Sequence, residues 1–168
     1  RMSDAASGSP GLLAGSAVNN EGLLSGNGRI SANLHNSPTG LVDVASGDQL
    51  MLTGTANVNQ GTIVNSGGTL RATGSMSNEA GGNISVDGHA TVSLTGGLDN
   101  GGTVTFSDAD AYMYGDITNN GTGLVGVADS SRVRFVGAFI NNGDAYVGSD
   151  SRAVFFGPVS GSGDFPGG

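Results

Sequence analysis

An asparagine returns at nearly fixed intervals along this 168-residue chain: Asn36, Asn59, Asn78, Asn100, Asn119 and Asn141, roughly 19 to 23 residues apart. A glycine comb runs in phase with it, at Gly54, Gly74, Gly96, Gly115, Gly137 and Gly157, and each of the first five lies four or five residues before its asparagine. Two combs locked at one period mean that a single structural unit is copied along the chain. Each asparagine is soon followed by glycine and then by a short stretch of alternating apolar residues, as in Asn100-Gly101-Gly102-Thr103-Val104-Thr105-Phe106. Period-two alternation is the signature of a strand with one buried face.

A β-sandwich also makes short strands between turns, but it does not bring the same turn residue back every third strand. A solenoid does. Helix is excluded by frequent glycine, by β-branched apolar residues and by the lack of an i, i+3, i+4, i+7 stripe. The fold class expected is all-β: a single-stranded right-handed parallel β-helix (β-solenoid) of about seven coils, with about 20 residues and three short strands per coil. The right hand is expected because coil length varies, whereas left-handed β-helices keep to strict hexapeptides. Residues 19–165 form the repeats. Residues 1–18 read as a Gly/Ser-rich segment or improvised cap, and 166–168 as a truncated end.

The alternation assigns the side chains that point inward. In the first strand of successive coils they are Val42 and Val44, Ile63, Ile84 and Val86, Val104 and Phe106, Val125 and Val127, then Ala145 and Val147. In the second they are Leu50 and Leu52, Leu70 and Ala72, Val92 and Leu94, Met113, Val133 and Phe135, then Phe155. The third strand adds one per coil: Leu34, Met76, Leu98, Ile117, Phe139 and Val159.

Each comb has a physical reason. Asparagine bonds its neighbouring backbone at a tight bend, and stacked amides donate to one another along the rod. The comb glycines sit at the bend between second and third strands, where a positive φ is expected. A third comb, Asp87, Asp108, Asp129 and Asp150, recurs every 21 residues at the remaining corner. Its structural reading is a turn aspartate. Its functional reading is a calcium ladder, because like carboxylates stacked about 5 Å apart repel unless a cation intervenes.

Composition narrows the function classes. Six arginines and no lysine stand against 14 acidic residues, a formal charge of −8. A nucleic-acid partner needs a basic stripe and is not expected. No apolar run is long enough for direct membrane insertion. Cysteine is absent, which removes disulfides and thiol chemistry.

Other signals carry less weight. Gly121-Thr122-Gly123-Leu124-Val125-Gly126 matches the dinucleotide fingerprint, but a strand end and turn follow where the fingerprint needs a helix N-terminus. Asp108 and Asp110 resemble a glycosidase carboxylate pair, yet Asp108 already belongs to a turn comb. His35 and His89 fall in unrelated parts of the repeat and read as exposed turn residues. Thr103-Val104-Thr105 does not recur as an ice-binding row would, and Tyr112, Tyr114 and Tyr146 read as scattered surface residues.

The asparagine–glycine corner followed by an alternating strand resembles bacterial surface proteins of the right-handed β-helix kind, namely autotransporter passengers and filamentous-haemagglutinin-like adhesins. Val159-Ser160-Gly161-Ser162-Gly163-Asp164-Phe165 is similar to repeats of exported PEP-CTERM-anchored proteins. The resemblance covers residues 19–165 at the level of repeat pattern. It implies export to the bacterial cell surface, a stalk or adhesive role and no enzyme activity; the leading expectation adds glycans or other surface proteins as partners of the outer surface. Two rivals are carried: a calcium-stabilised surface-layer or biofilm component, and a polysaccharide-active β-helix enzyme. Both chain ends read as cut, so end-to-end self-association through exposed strand edges is a further expectation.

Overall fold

One coil shows how the sequence turns. Leu41–Ala45 crosses the first face, and a turn with Gly47 at φ 83° leads to Gln49–Leu52 on the second face. The chain then bends at Gly54, runs along the third face as Ala56–Asn59, and enters the next coil at Thr62–Ser66. Burial alternates along the strands of this coil: Val42, Val44, Leu50 and Leu52 are sealed inside, while Asp43 and Met51 face outward. The structure, a computed structural model, describes residues 10–165, which contain 23 strands and no helix.

Each strand pairs in parallel with its copy in the neighbouring coil, so that Ile63 lies beside Ile84 and Leu70 beside Val92. Three sheets result. Sheet 1 has seven strands, from Leu23–Ser25 to Asp144–Val147. Sheet 2 has eight, from Gly11–Leu13 to Arg152–Phe155. Sheet 3 also has eight, from Ala17–Asn20 to Val159–Ser160. The fold is a parallel β-solenoid of about eight coils, one more than the repeat count suggests.

The extra coil lies ahead of the expected boundary. Gly11–Leu13 pairs with Gly28–Ile30, and Ala17–Asn20 pairs with Asn33–Asn36, so residues 11–18 belong to the stack and not to a separate segment. These strands are hidden in the sequence because they lack apolar alternation: Leu12 and Leu13 are adjacent and both outwardly exposed, and Val18 is the one large apolar residue of Ala17–Asn20. The expected cap at the extreme N-terminus and the truncated end at 166–168 lie outside the described residues.

The inward set forms one continuous core from Leu24 to Ala145. At the far end the cover thins: Val147 and Phe155 are partly buried and Val159 is exposed. Beyond the comb asparagines, Asn57 and Asn65 place polar side chains inside at positions that are apolar in a neighbouring coil. Asn57 takes the place of Met76 and accepts from the Leu34 amide at 3.1 Å while donating to the Gly54 and Ser75 carbonyls. Asn65 stands between Val44 and Val86, donates to the Thr91 carbonyl at 3.0 Å, and leaves its Oδ1 without a partner.

Phe135 anchors an aromatic cluster, with ring centroids 4.8 Å from Phe155 and 4.9 Å from Phe139. Phe135→Ala is expected to cost about 3–5 kcal/mol, the range for a buried phenylalanine truncation. Asp87→Ala, on the outer side of a strand end, is expected to cost far less. Urea unfolding of both variants checks this; equal midpoint shifts would refute the inward and outward assignments.

Candidate functional site

The comb asparagines sit at the bend into the first strand with their side chains turned inward. All six are 0–1% exposed, and a seventh, Asn20, joins them at 8%. Their side chains form one directional chain: each Nδ2 donates to the Oδ1 of the asparagine in the next coil, from Asn20 to Asn36 and on to Asn59, Asn78, Asn100, Asn119 and Asn141, at 2.7–2.8 Å throughout. The same nitrogens also reach backbone carbonyls at the corner; Asn78, for example, donates to Thr103 at 3.0 Å and Gly82 at 3.3 Å. The amide carries separate donor and acceptor atoms, so an identical copy above and below satisfies it. Asn20 escaped the comb because it lies 16 residues before Asn36, in the shortest spacing of the ladder. The following Glu21-Gly22 is the signal that marks it.

The comb glycines answer a different requirement from the one expected. Gly54, Gly74, Gly96, Gly115, Gly137 and Gly157 do not have the positive φ assigned to them. They are needed for contact. A Cβ on any of them would lie closer than 3.0 Å to the backbone of the preceding coil, as with Gly137, where it would sit 2.6 Å from the Gly115 carbonyl group. Coils pinch together at this corner until only hydrogen fits. A second glycine column, including Gly82, Gly102, Gly123 and Gly143, lies against the asparagine ladder, and a Cβ there would strike the amides or the backbone beside them. These are the glycines that follow each asparagine in sequence.

The aspartate comb does not stack as a column. Sheet 1 advances by 20 residues between Asn83 and Thr103, 21 between Thr103 and Leu124, and 20 again to Asp144. A constant 21-residue spacing therefore slips out of register. Asp108 and Asp129 are neighbours, with the Asp108 amide donating to the Asp129 carbonyl at 2.8 Å. Asp87 instead follows Val86, whose partner is Phe106, and so stands beside Ser107; Asp150 lies one residue past the position beside Asp129. Asp108 and Asp129 have φ of 52° and 51°, the left-handed turn conformation that aspartate tolerates.

Their carboxylates have local partners. Ser107 Oγ donates to Asp129 Oδ2 at 2.7 Å, and His89 Nδ1 lies 3.0 Å from Asp108 Oδ1 with both side chains exposed. Among the described residues, no three carboxylate or histidine groups converge to hold a metal ion. Calcium or EDTA is accordingly expected to leave the thermal midpoint unchanged, which calorimetry in both conditions checks.

The remaining candidates separate in space. Asp110 turns to Arg134 at 2.5 Å and not toward Asp108. His35 faces Gln60 with 3.3 Å between Nε2 and Oε1. Gly126 lies under the Tyr146 ring, and Gly123 abuts Asn119, so these fingerprint glycines serve packing. Tyr112 and Tyr114 are not scattered: their rings stack at 5.8 Å with 12° between planes, and the Arg134 guanidinium sits 4.4 Å from the Tyr112 ring centroid.

The class of protein that this geometry defines is a parallel β-solenoid with an internal asparagine ladder. No protein-family model matches the chain, and no curated protein or solved structure is significantly similar to it.

Proposed function

We propose that the chain is a non-catalytic structural and adhesive module, a rigid extracellular segment of a larger exported bacterial surface protein. The observation that carries the reading is the continuity of the three sheets, which run coil to coil through the described residues with equivalent side chains stacked inside. Backbone hydrogen bonds tie neighbouring coils on three faces, so bending the rod must stretch a ladder on one side. Eight coils at a strand spacing of about 4.8 Å span roughly 38 Å. Such a unit holds whatever follows it at a set distance and presents three flat outer faces to partners.

Composition supports the same reading. The interior is built from apolar residues ranging from alanine to phenylalanine together with asparagine, while the outside is acidic and lysine-free. The Asn–Gly corner that carries the resemblance to surface adhesins is the motif that builds the interior ladder.

Two readouts test the proposal. Protease treatment of intact cells producing the parent protein is expected to remove epitopes within residues 19–165; epitopes protected until lysis would overturn the surface assignment. Incubation with a panel of acidic polysaccharides is expected to release no new reducing ends, and steady product release would overturn the non-catalytic assignment.

A further inference from the structure

The charge of this chain is sorted by face. All five arginines among the described residues, Arg29, Arg71, Arg132, Arg134 and Arg152, lie at outward positions of sheet 2. Parallel register places them in two adjacent columns: Arg29–Met51–Arg71 continues through Ser93 and Tyr112 to Arg134, while Asp110, Arg132 and Arg152 stack beside it. Asp110 is the acidic residue within these strands, and Arg134 pairs with it. The outer face of sheet 1 carries Asp43, Asp87 and Asp144 and no arginine. A chain of formal charge −8 thus confines its described arginines to one strip running along the rod.

Among the described residues, Arg29, Arg71, Arg132 and Arg152 form no salt bridge. Arg29 and Arg71, two rungs and so about 10 Å apart, flank Met51 in a shallow groove of about 680 Å³ that Gln49 and Thr69 also line. Further along the strip stands the stacked pair Tyr112 and Tyr114, the latter 48% exposed. Beside the strip, the corner between sheets 1 and 2 bears Asp48, Asp108, Asp129 and Asp150. These corner aspartates, discontinuous along the rod, lie beside the basic strip, Asp48 near its Arg29–Arg71 stretch and the other three near Arg132 and Arg152, and disfavour anything broad and uniformly negative.

We propose that the outer face of sheet 2 binds an extended carboxylated polysaccharide lying along the rod axis, a proposal that rests on the adhesive reading above. Charge complementarity chooses the occupant. The guanidinium fork matches a carboxylate through two parallel hydrogen bonds, and arginine holds this geometry better than a point charge would. A linear glycan with carboxylates at intervals is slim enough to follow the strip, and it presents a sugar face that can stack on the exposed Tyr114 ring, which Tyr112 backs. A nucleic acid, with its dense backbone charge, meets the corner aspartates and the net negative field of the whole rod.

The test uses the full chain with immobilised polygalacturonate at physiological ionic strength. Binding is expected, weakening as salt rises, and fully methyl-esterified polygalacturonate, which keeps the backbone and loses the charge, is expected not to bind. The double variant Arg29→Gln/Arg71→Gln should weaken binding at least about tenfold, because each substitution removes a charge-assisted hydrogen bond. Ser93→Glu, which places a negative charge in the same column, should also weaken it, and both proteins should keep the parent thermal midpoint.

Equal binding of the esterified polymer, or no binding of the acid form, would overturn the proposal. Unchanged affinity in both variants would overturn the assignment to this face. Tighter capture of single-stranded DNA or polyaspartate than of polygalacturonate would overturn the ligand class. New reducing ends in the bound mixture would instead sink the non-catalytic reading while leaving the face in place.

Discussion

Replacing Asn78 with aspartate is expected to cost more than about 3 kcal/mol at neutral pH, although the two side chains have nearly the same shape. Asn78 Nδ2 donates to Asn100 Oδ1 at 2.8 Å, to the Thr103 carbonyl at 3.0 Å and to the Gly82 carbonyl at 3.3 Å. A carboxylate oxygen there faces three acceptors and donates to none. Each buried polar group left unsatisfied costs about 1–3 kcal/mol, and a charged one more.

The penalty should depend on pH with a definite sign. Burial and facing acceptors raise the carboxyl's folded pKa above the unfolded value of about 3.9. The folded state then binds more protons than the unfolded one between the two values, so stability falls as pH rises through that window. Denaturation of Asn78→Asp is therefore expected to show part of the loss recovered as pH drops toward 4, relative to the parent at the same pH. A loss below 1 kcal/mol with no pH dependence would show that the ladder is dispensable.

Gly96→Ala is expected to have an effect of similar size through sterics alone. The added methyl would meet the backbone of Gly74 and Ser75 in the preceding coil well inside contact distance, and this neighbour is main chain that cannot rotate away. Overpacking usually costs about 1–3 kcal/mol and more where relaxation is blocked. Here relief means lifting two coils apart at the corner, which also strains the Asn78–Asn100 bond between the same coils. The upper end of that range or beyond is expected in urea unfolding. Gly47→Ala provides the contrast: a Cβ there meets nothing within 4 Å, so only its positive φ of 83° resists the change. If both alanines cost the same, the close-approach argument fails.

The coil architecture was legible because stacking in register demands chemical sameness at equivalent positions. That demand prints a period into the chain, and period-two alternation within it marks the inward residues from Val42 to Phe135. The asparagine ladder was legible for the same reason, since an amide is satisfied by a copy of itself. Asn20 lies outside the regular spacing, and the glycine at Gly22 marks it only weakly until its strand is seen to pair with Asn33–Asn36.

What the sequence by itself determined was thus the parallel solenoid, its three faces, most of its core and the asparagine chain. Tertiary structure decided the rest. The comb glycines could not be told apart from turn glycines by spacing, because backbone proximity between coils is a distance in space and not in sequence; only the packed coils show that a methyl group would not fit. The aspartates kept an even 21-residue interval yet fell out of register, because corners absorb a residue in one coil and return it in the next. The arginines, scattered from Arg29 to Arg152 without any period, share one face because strand pairing brings outward positions into line. Periodicity reports what each coil has in common, while the face a protein offers to a partner is built from what differs between coils, and only their alignment in space brings those differences together.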